Sequence, residues 1–240
     1  MQATILIEKD HEAASARAAQ IVAEKMLETP GMNATFAAGN TPLACYEKLI
    51  ERQTAGELDL RAARYIGLDE WIGLGPDNVG SCIETMNTSF YGPAGIPRDH
   101  IEFFNGLCAD PGAEAKRMCG VFAQAGGIDL TVLGVGVNGH IGFNEPGLVT
   151  QGDFSLVPLS ETTQTVGRKY FGGGATPKDG ATMTLDALKK AKTVVVIATG
   201  ENKRAAVAGI LAGKSDLPVG AFLDHPGAVY VFDEAAAPRG

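Results

Sequence analysis

Residues 134–147, GVGVNGHIGFNEPG, gather Asn138, His140 and Glu145 in one glycine-laden stretch directly after an apolar run. Imidazole is the side chain that titrates near neutral pH, and His140 is the best-placed candidate for proton transfer among the 4 histidines. Glu145 lies close enough along the chain to fold back and orient that ring. Asn138 can donate and accept hydrogen bonds but cannot titrate. A plain turn with a packed histidine would account for the glycines and leave the polar side chains without a reason. His11, His100 and His225 lack such surroundings and read as surface or packing residues.

Three further clusters carry candidate chemistry. In LDEW, Asp69 and Glu70 sit beside Trp71. A carboxylate partly desolvated there has its pKa raised toward the range useful for proton transfer. The alternative, Asp69 opening a turn with Glu70 solvated, stands equally at this point. In GNTP, Gly39 and Asn40 precede Thr41, which can cap a helix, and Pro42, which fits a first helical position. The free N–H groups of such a helix start attract phosphate, although a simple cap explains the same residues. In TGENK, Lys203 falls in the first turn of a helix, where a cation opposes the macrodipole. It is therefore aimed at an anion or is merely a solvated surface lysine. Arg168 and Lys169 form a basic pair before the glycines of VGRKYFGGG, a segment able to serve as a mobile lid.

These clusters need a frame. Apolar runs at 3–8, 34–39, 64–71, 101–106, 129–136, 193–200 and 227–233 read as strands. Helical patterns fall at 13–27, with Asp10 as N-cap, and at 43–53, around 81–90, at 111–127 and at 201–213. Continuous apolar strands alternating with amphipathic helices imply an α/β, Rossmann-like fold, a mostly parallel sheet with helices on both faces. The region between 137 and 192 has no clear period. No composition break marks a linker, so residues 1–240 read as one domain. In such a sheet ligands bind beyond the carboxyl ends of the strands. GNTP, LDEW, GVNGH and TGENK all follow strands and should converge on one rim.

Composition excludes several classes. With 28 acidic against 20 basic residues the formal charge is −8, which gives no footprint for nucleic acid or an anionic membrane. An anionic small substrate would need a local cradle. No segment approaches the roughly 20 apolar residues of a membrane helix. Cys45, Cys82, Cys108 and Cys119 are far apart and form no C-x-x-C pair. They read as free thiols in a reducing compartment rather than as a zinc site or a disulfide framework. The N-terminal apolar stretch is too short for a secretory leader, and the expected location is the cytoplasm.

In order, GNTP, LDEW, GVNGHIGFNEPG and TGENK resemble the glucosamine-6-phosphate deaminase and galactosamine-6-phosphate isomerase family, which is related to the 6-phosphogluconolactonases. The resemblance runs from the second strand to the last, and GHIGFNEP is similar to the amino-sugar branch. It implies conversion of an aldose amino-sugar phosphate to a ketose phosphate with release of ammonia, without metal or other cofactor. By resemblance, Asp69 matches the general base that moves a proton between C2 and C1 through an enolamine. His140 matches the residue that assists ring opening, and Glu145 its orienting carboxylate. Lys203 matches a phosphate-binding lysine, with Gly39, Asn40 and Thr41 as the other side of the cradle. One of Arg168 and Lys169 matches a phosphate-binding arginine.

The chain departs from this pattern at Asn138, where glucosamine-6-phosphate deaminases typically carry aspartate. An amide cannot lend charge to His140. NGH, LDEW and Cys82 together resemble the galactosamine-6-phosphate type. The partner implied is an amino-sugar phosphate, and a homo-oligomer is compatible with a family that ranges from monomers to hexamers. Two other readings compete. One is a 6-phosphogluconolactonase, against which the NEPG continuation argues. The other is a non-catalytic sugar-phosphate sensor, for which no spare length for a DNA-binding helix-turn-helix is expected.

Overall fold

The structure, a computed structural model, describes residues 2–171 and 177–237. In chain order its strands are β1 (Thr4–Glu8), β2 (Asn33–Phe36), β3 (Arg64–Ile66), β4 (Asp69–Trp71), β5 (Ile101–Glu102), β6 (Leu130–Gly134), β7 (Phe154–Pro158), β8 (Asp179–Met183), β9 (Thr193–Ala198) and β10 (Ala228–Asp233). Its helices are α1 (His11–Glu28), α2 (Asn40–Thr54), α3 (Cys82–Met86), α4 (Pro111–Gln124), α5 (Glu161–Gly167), α6 (Leu185–Leu188) and α7 (Arg204–Leu211).

Seven strands form a sheet in the order β1-β10-β9-β6-β2-β3-β5, and every neighbouring pair is parallel. Successive side chains of a strand point to opposite faces, so a central parallel strand must be apolar throughout. β9 shows this. Val195 and Ile197 pack into one core with α1 and α2, whereas Val194, Val196 and Ala198 pack into a second core with α4 and α7. β10 divides the same way, with Val231 on the first face and Tyr230 and Phe232 on the second. α1 presents Ala14, Ala18, Val22 and Met26 to the core. Asp10 caps it by accepting from Ala13 N at 2.8 Å. The fold is the mostly parallel α/β sheet flanked by helices that the strand and helix pattern implies.

Three expectations need correction. The run 64–71 is two strands in two sheets. The chain leaves the parallel sheet at Gly67, whose N–H donates to Glu102 O at 2.8 Å. A Cβ at Gly67 would lie 2.5 Å from the Phe103 ring, so the close approach requires glycine. Beyond this point Asp69–Trp71 joins a small antiparallel sheet, β4-β8-β7, in which Asp69 pairs with Thr182 and Trp71 with Gly180. Second, the run 101–106 keeps strand geometry only at Ile101–Glu102, where β5 forms the edge of the sheet. Third, α2 starts two residues earlier than Pro42 implies. Gly39 is the N-cap and no side chain caps the helix, so Thr41 lies inside the first turn. Pro42 costs nothing there, because first-turn N–H groups have no partner within the helix.

Candidate active site

GNTP, LDEW, GVNGH and TGENK surround one cavity of about 410 Å³ at the carboxyl ends of the parallel strands. One wall comes from the central sheet. It comprises Gly39–Pro42 after β2, Gly134–Val137 after β6, and Thr199, Asn202 and Lys203 after β9. The other wall comprises Asp69 and Trp71 from β4, Cys82 from α3, His140, and Thr163 and Gly167 from α5.

The anion side has few charges. Gly200 adopts φ +89°, a left-handed conformation that favours glycine. Its N–H donates to both carboxylate oxygens of Asp233, at 2.9 and 3.1 Å. Asp233 is buried and also accepts from Ala236 N at 2.8 Å. Turned in this way, the chain winds Glu201–Lys203 as a tight 3-10 turn before α7, so Lys203 is the N-cap residue of α7 rather than part of its first α-helical turn. Burial lowers the Lys203 pKa, and among the described residues no carboxylate pairs with it. A half-buried ammonium without a counter-charge suits an anionic ligand. Of the basic pair, Lys169 lines the cavity and the exposed Arg168, the C-cap of α5, does not. The glycine lid read at 172–174 lies outside the described residues.

The carboxylates of the other wall are held in different states. Asp69 is buried, and loss of solvation raises its pKa to about 6 against opposing contributions from the Cys82 thiol and the His140 charge. Glu70 is fully buried, not solvated. Its Oε1 accepts from Trp71 N and Cys82 N at 2.8 and 2.9 Å, and its Oε2 from Ile83 N at 2.9 Å. Burial raises its pKa to about 7 despite those donors. Glu70 thus ties β4, the strand in which Asp69 stands, to the start of α3.

The imidazole of His140 lies over the Gly136 backbone. A Cβ at Gly136 would be 2.3 Å from Nε2, so only glycine leaves room for the ring. Behind the ring, Glu145 Oε2 accepts from Asn138 Nδ2 at 2.8 Å and stands 3.6 Å from His140 Nδ1. Glu145 Oε1 accepts from Ser160 Oγ at 3.0 Å and, in a short hydrogen bond, from Thr163 Oγ1. Burial alone would raise the Glu145 pKa. The neighbouring His140 charge together with the Thr163 and Asn138 donors outweighs it and brings the value to about 2. Neither Glu145 nor Asn138 lines the cavity, and Asn138 Oδ1 instead accepts from His140 N at 3.2 Å.

Several of these residues escaped the reading of the sequence. Ser160 and Thr163 form a Ser-x-x-Thr helix start in which Ser160 Oγ accepts from Thr163 N at 3.1 Å, a cap signal open to detection. Asp233 ends a strand on the ligand-binding edge and answers to the same rule as the other clusters. Cys82 enters the sequence reading only through the resemblance to the galactosamine-6-phosphate type, and its place beside Asp69 has no local signal. Among the described residues no group of His, Cys, Asp and Glu is arranged to hold a metal ion, and no helix is long and apolar enough to cross a membrane.

Comparison with known proteins places this geometry in a family. A glucosamine-6-phosphate deaminase of Thermoanaerobacter pseudethanolicus is 34% identical over 236 residues, covering 97% of this chain and 93% of the relative. One from Rhodopirellula baltica is 35% identical over 236 residues, covering 97% and 94%. The solved structure of a monomeric glucosamine-6-phosphate deaminase superposes with a TM-score of 0.92 at 30% identity, covering 98% of both chains. A 6-phosphogluconolactonase of Trypanosoma brucei shares the fold at a TM-score of 0.77 and 22% identity, covering 98% of each chain. The model of the glucosamine-6-phosphate isomerases/6-phosphogluconolactonase family matches residues 8–231, and the chain belongs to that family.

Proposed function

We propose that the protein is an amino-sugar-6-phosphate deaminase, which converts the aldose amino sugar to the ketohexose 6-phosphate and releases ammonia. The observation that carries this reading is the pairing, in one cavity, of a base with a raised pKa, Asp69, and an imidazole backed by an ionised carboxylate, His140 with Glu145. Two carboxylates whose pKa values are driven apart take different roles. Asp69, at about 6, is ionised at neutral pH yet basic enough to move a proton from C2 to C1. Glu145, at about 2, stays charged and serves the imidazole instead of reacting.

His140 handles the proton of the ring oxygen as the sugar opens. Asp69 then takes the C2 proton and returns it at C1, and water replaces the C2 nitrogen, which leaves as ammonia. Lys203, Lys169 and the uncapped first turn of α2 at Gly39, Asn40 and Thr41 hold the phosphate; support comes from the free N–H groups and from Lys203, which has no carboxylate partner among the described residues. Lys169 rather than Arg168 takes the second cationic position, because it alone of the two lines the cavity. The substrate class includes both C4 epimers. The NGH sequence and Cys82 support galactosamine 6-phosphate, and the names of the relatives support glucosamine 6-phosphate.

Steady-state assays of ammonia release from the two amino-sugar phosphates, run beside hydrolysis of 6-phosphogluconolactone, test the reading. Ammonia from either amino sugar, with no lactone turnover above the uncatalysed rate, is expected. Lactone hydrolysis without ammonia release would replace it.

A further inference from the structure

We infer that the Thr163 hydroxyl, rather than direct contact with Glu145, holds His140 in the tautomer protonated at Nδ1. The argument counts protons. His140 Nδ1 is 3.6 Å from Glu145 Oε2, beyond hydrogen-bond range, but 3.3 Å from Thr163 Oγ1. Glu145 Oε2 is already used by the Asn138 amide at 2.8 Å, and Oε1 receives both Ser160 and Thr163. An ionised carboxylate only accepts, so the single hydroxyl proton of Thr163 goes to Glu145. The Thr163 oxygen can then take part in its contact with the imidazole only as an acceptor. Nδ1 must carry the proton, which leaves the Nε2 lone pair for the cavity. Among the described residues nothing is hydrogen-bonded to Nε2.

The relay follows from having an amide at 138. Asn138 donates to the Glu145 oxygen nearest the imidazole, which stands 3.6 Å from Nδ1. An aspartate there could not donate and would repel Glu145, which removes the contact that keeps this oxygen in place. Thr163 is placed for its part by α5. Its N–H donates to the cap Ser160 Oγ, whose own hydroxyl is directed to the same Glu145 oxygen. Thr163 is a positioning residue, and its effect on turnover rests on the deaminase reading, whereas its effect on the tautomer does not.

The test is long-range 1H–15N spectroscopy of the His140 ring in labelled full-length protein at about pH 8, where an ordinary imidazole is neutral. The parent protein is expected to show a protonated Nδ1 and an unprotonated Nε2. Thr163→Val should reduce the Nδ1-protonated population and lower kcat by about tenfold with KM within about twofold. Thr163→Ser, which keeps the hydroxyl, should restore both. A parent ring protonated at Nε2, or a Thr163→Val ring unchanged from the parent, would overturn the inference. The expected tautomers in a protein that releases no ammonia would uphold the relay and remove the functional reading alone.

Discussion

The two walls of the cavity are built on different principles. The wall from the parallel sheet uses backbone and one half-buried cation: Gly39 leaves the start of α2 uncapped, Asp233 fastens the Gly200 turn, and Lys203 has no counter-charge among the described residues. The wall from the small antiparallel sheet and α5 uses carboxylates in opposed states, Asp69 raised to about 6 and Glu145 lowered to about 2. Burial pushes both values up and prevails at Asp69, where only the Cys82 thiol and the His140 charge oppose it. At Glu145 the neighbouring His140 charge and the Thr163 and Asn138 donors outweigh it. On the proposed reading the first wall carries most of the phosphate binding and the second moves protons.

Substitutions that affect one wall alone should separate binding from turnover. Among substitutions that leave the Asp69 base in place, the largest effect is expected from Gly136→Ala. The new Cβ would meet the His140 ring at 2.3 Å and displace it. Loss of a positioned proton-transfer group costs roughly a hundredfold in kcat, measured by ammonia release, with thermal denaturation as the control for folding.

Asp69→Asn should reveal the cost of holding the base. Its folded pKa is raised from 3.8 to about 6, so the folded chain binds the proton more tightly than the unfolded chain. Stability therefore falls as pH rises through that window and stays lower above it. At about 1.4 kcal/mol per unit, Asp69→Asn should be more stable than the parent by about 2–3 kcal/mol at about pH 8. The gain should vanish below about pH 3, where Asp69 is neutral in both states. Denaturant melts at the two pH values would show it, and an equal difference at both would contradict it.

Lys203→Gln acts on the other wall. Removing a charged donor to phosphate should raise KM by about tenfold, with a smaller change in kcat. A loss confined to kcat would break the division between the walls. Asn138→Asp is expected to have the smallest effect, at most about tenfold in kcat or in the ratio of the two epimers, equivalent to about 1.4 kcal/mol. A steady-state comparison of both substrates reads it directly.

Legibility in the sequence follows the same division. The parallel sheet announces itself, because strands buried on both faces must be apolar throughout, as Thr193–Ala198 is. Glycine and polar clusters after such strands then mark the anion wall. The small sheet is silent by comparison. β8 reads DGATM, weak in strand formers, and Gly180 is required because the Phe143 ring packs where its Cβ would be, at 2.5 Å. β7 and β8 are also separated in sequence by α5, so no hairpin pattern joins them. Thus Asp69 was visible as a residue type at a strand end, but not the sheet that buries it or the thiol beside it. His140 and Glu145 were visible as neighbours, whereas Ser160 and Thr163 come from another element and only the structure brings them to the same carboxylate.

The most direct test of the division is turnover and binding measured together in Asp69→Asn. With the anion wall intact and the base removed, ammonia release from the preferred amino-sugar 6-phosphate should fall by about 10³-fold or more, while the affinity for that substrate, read by calorimetry, stays within about threefold of the parent. Ammonia release that survives the substitution, or affinity that collapses with it, would contradict the assignment of proton transfer to one wall and phosphate binding to the other.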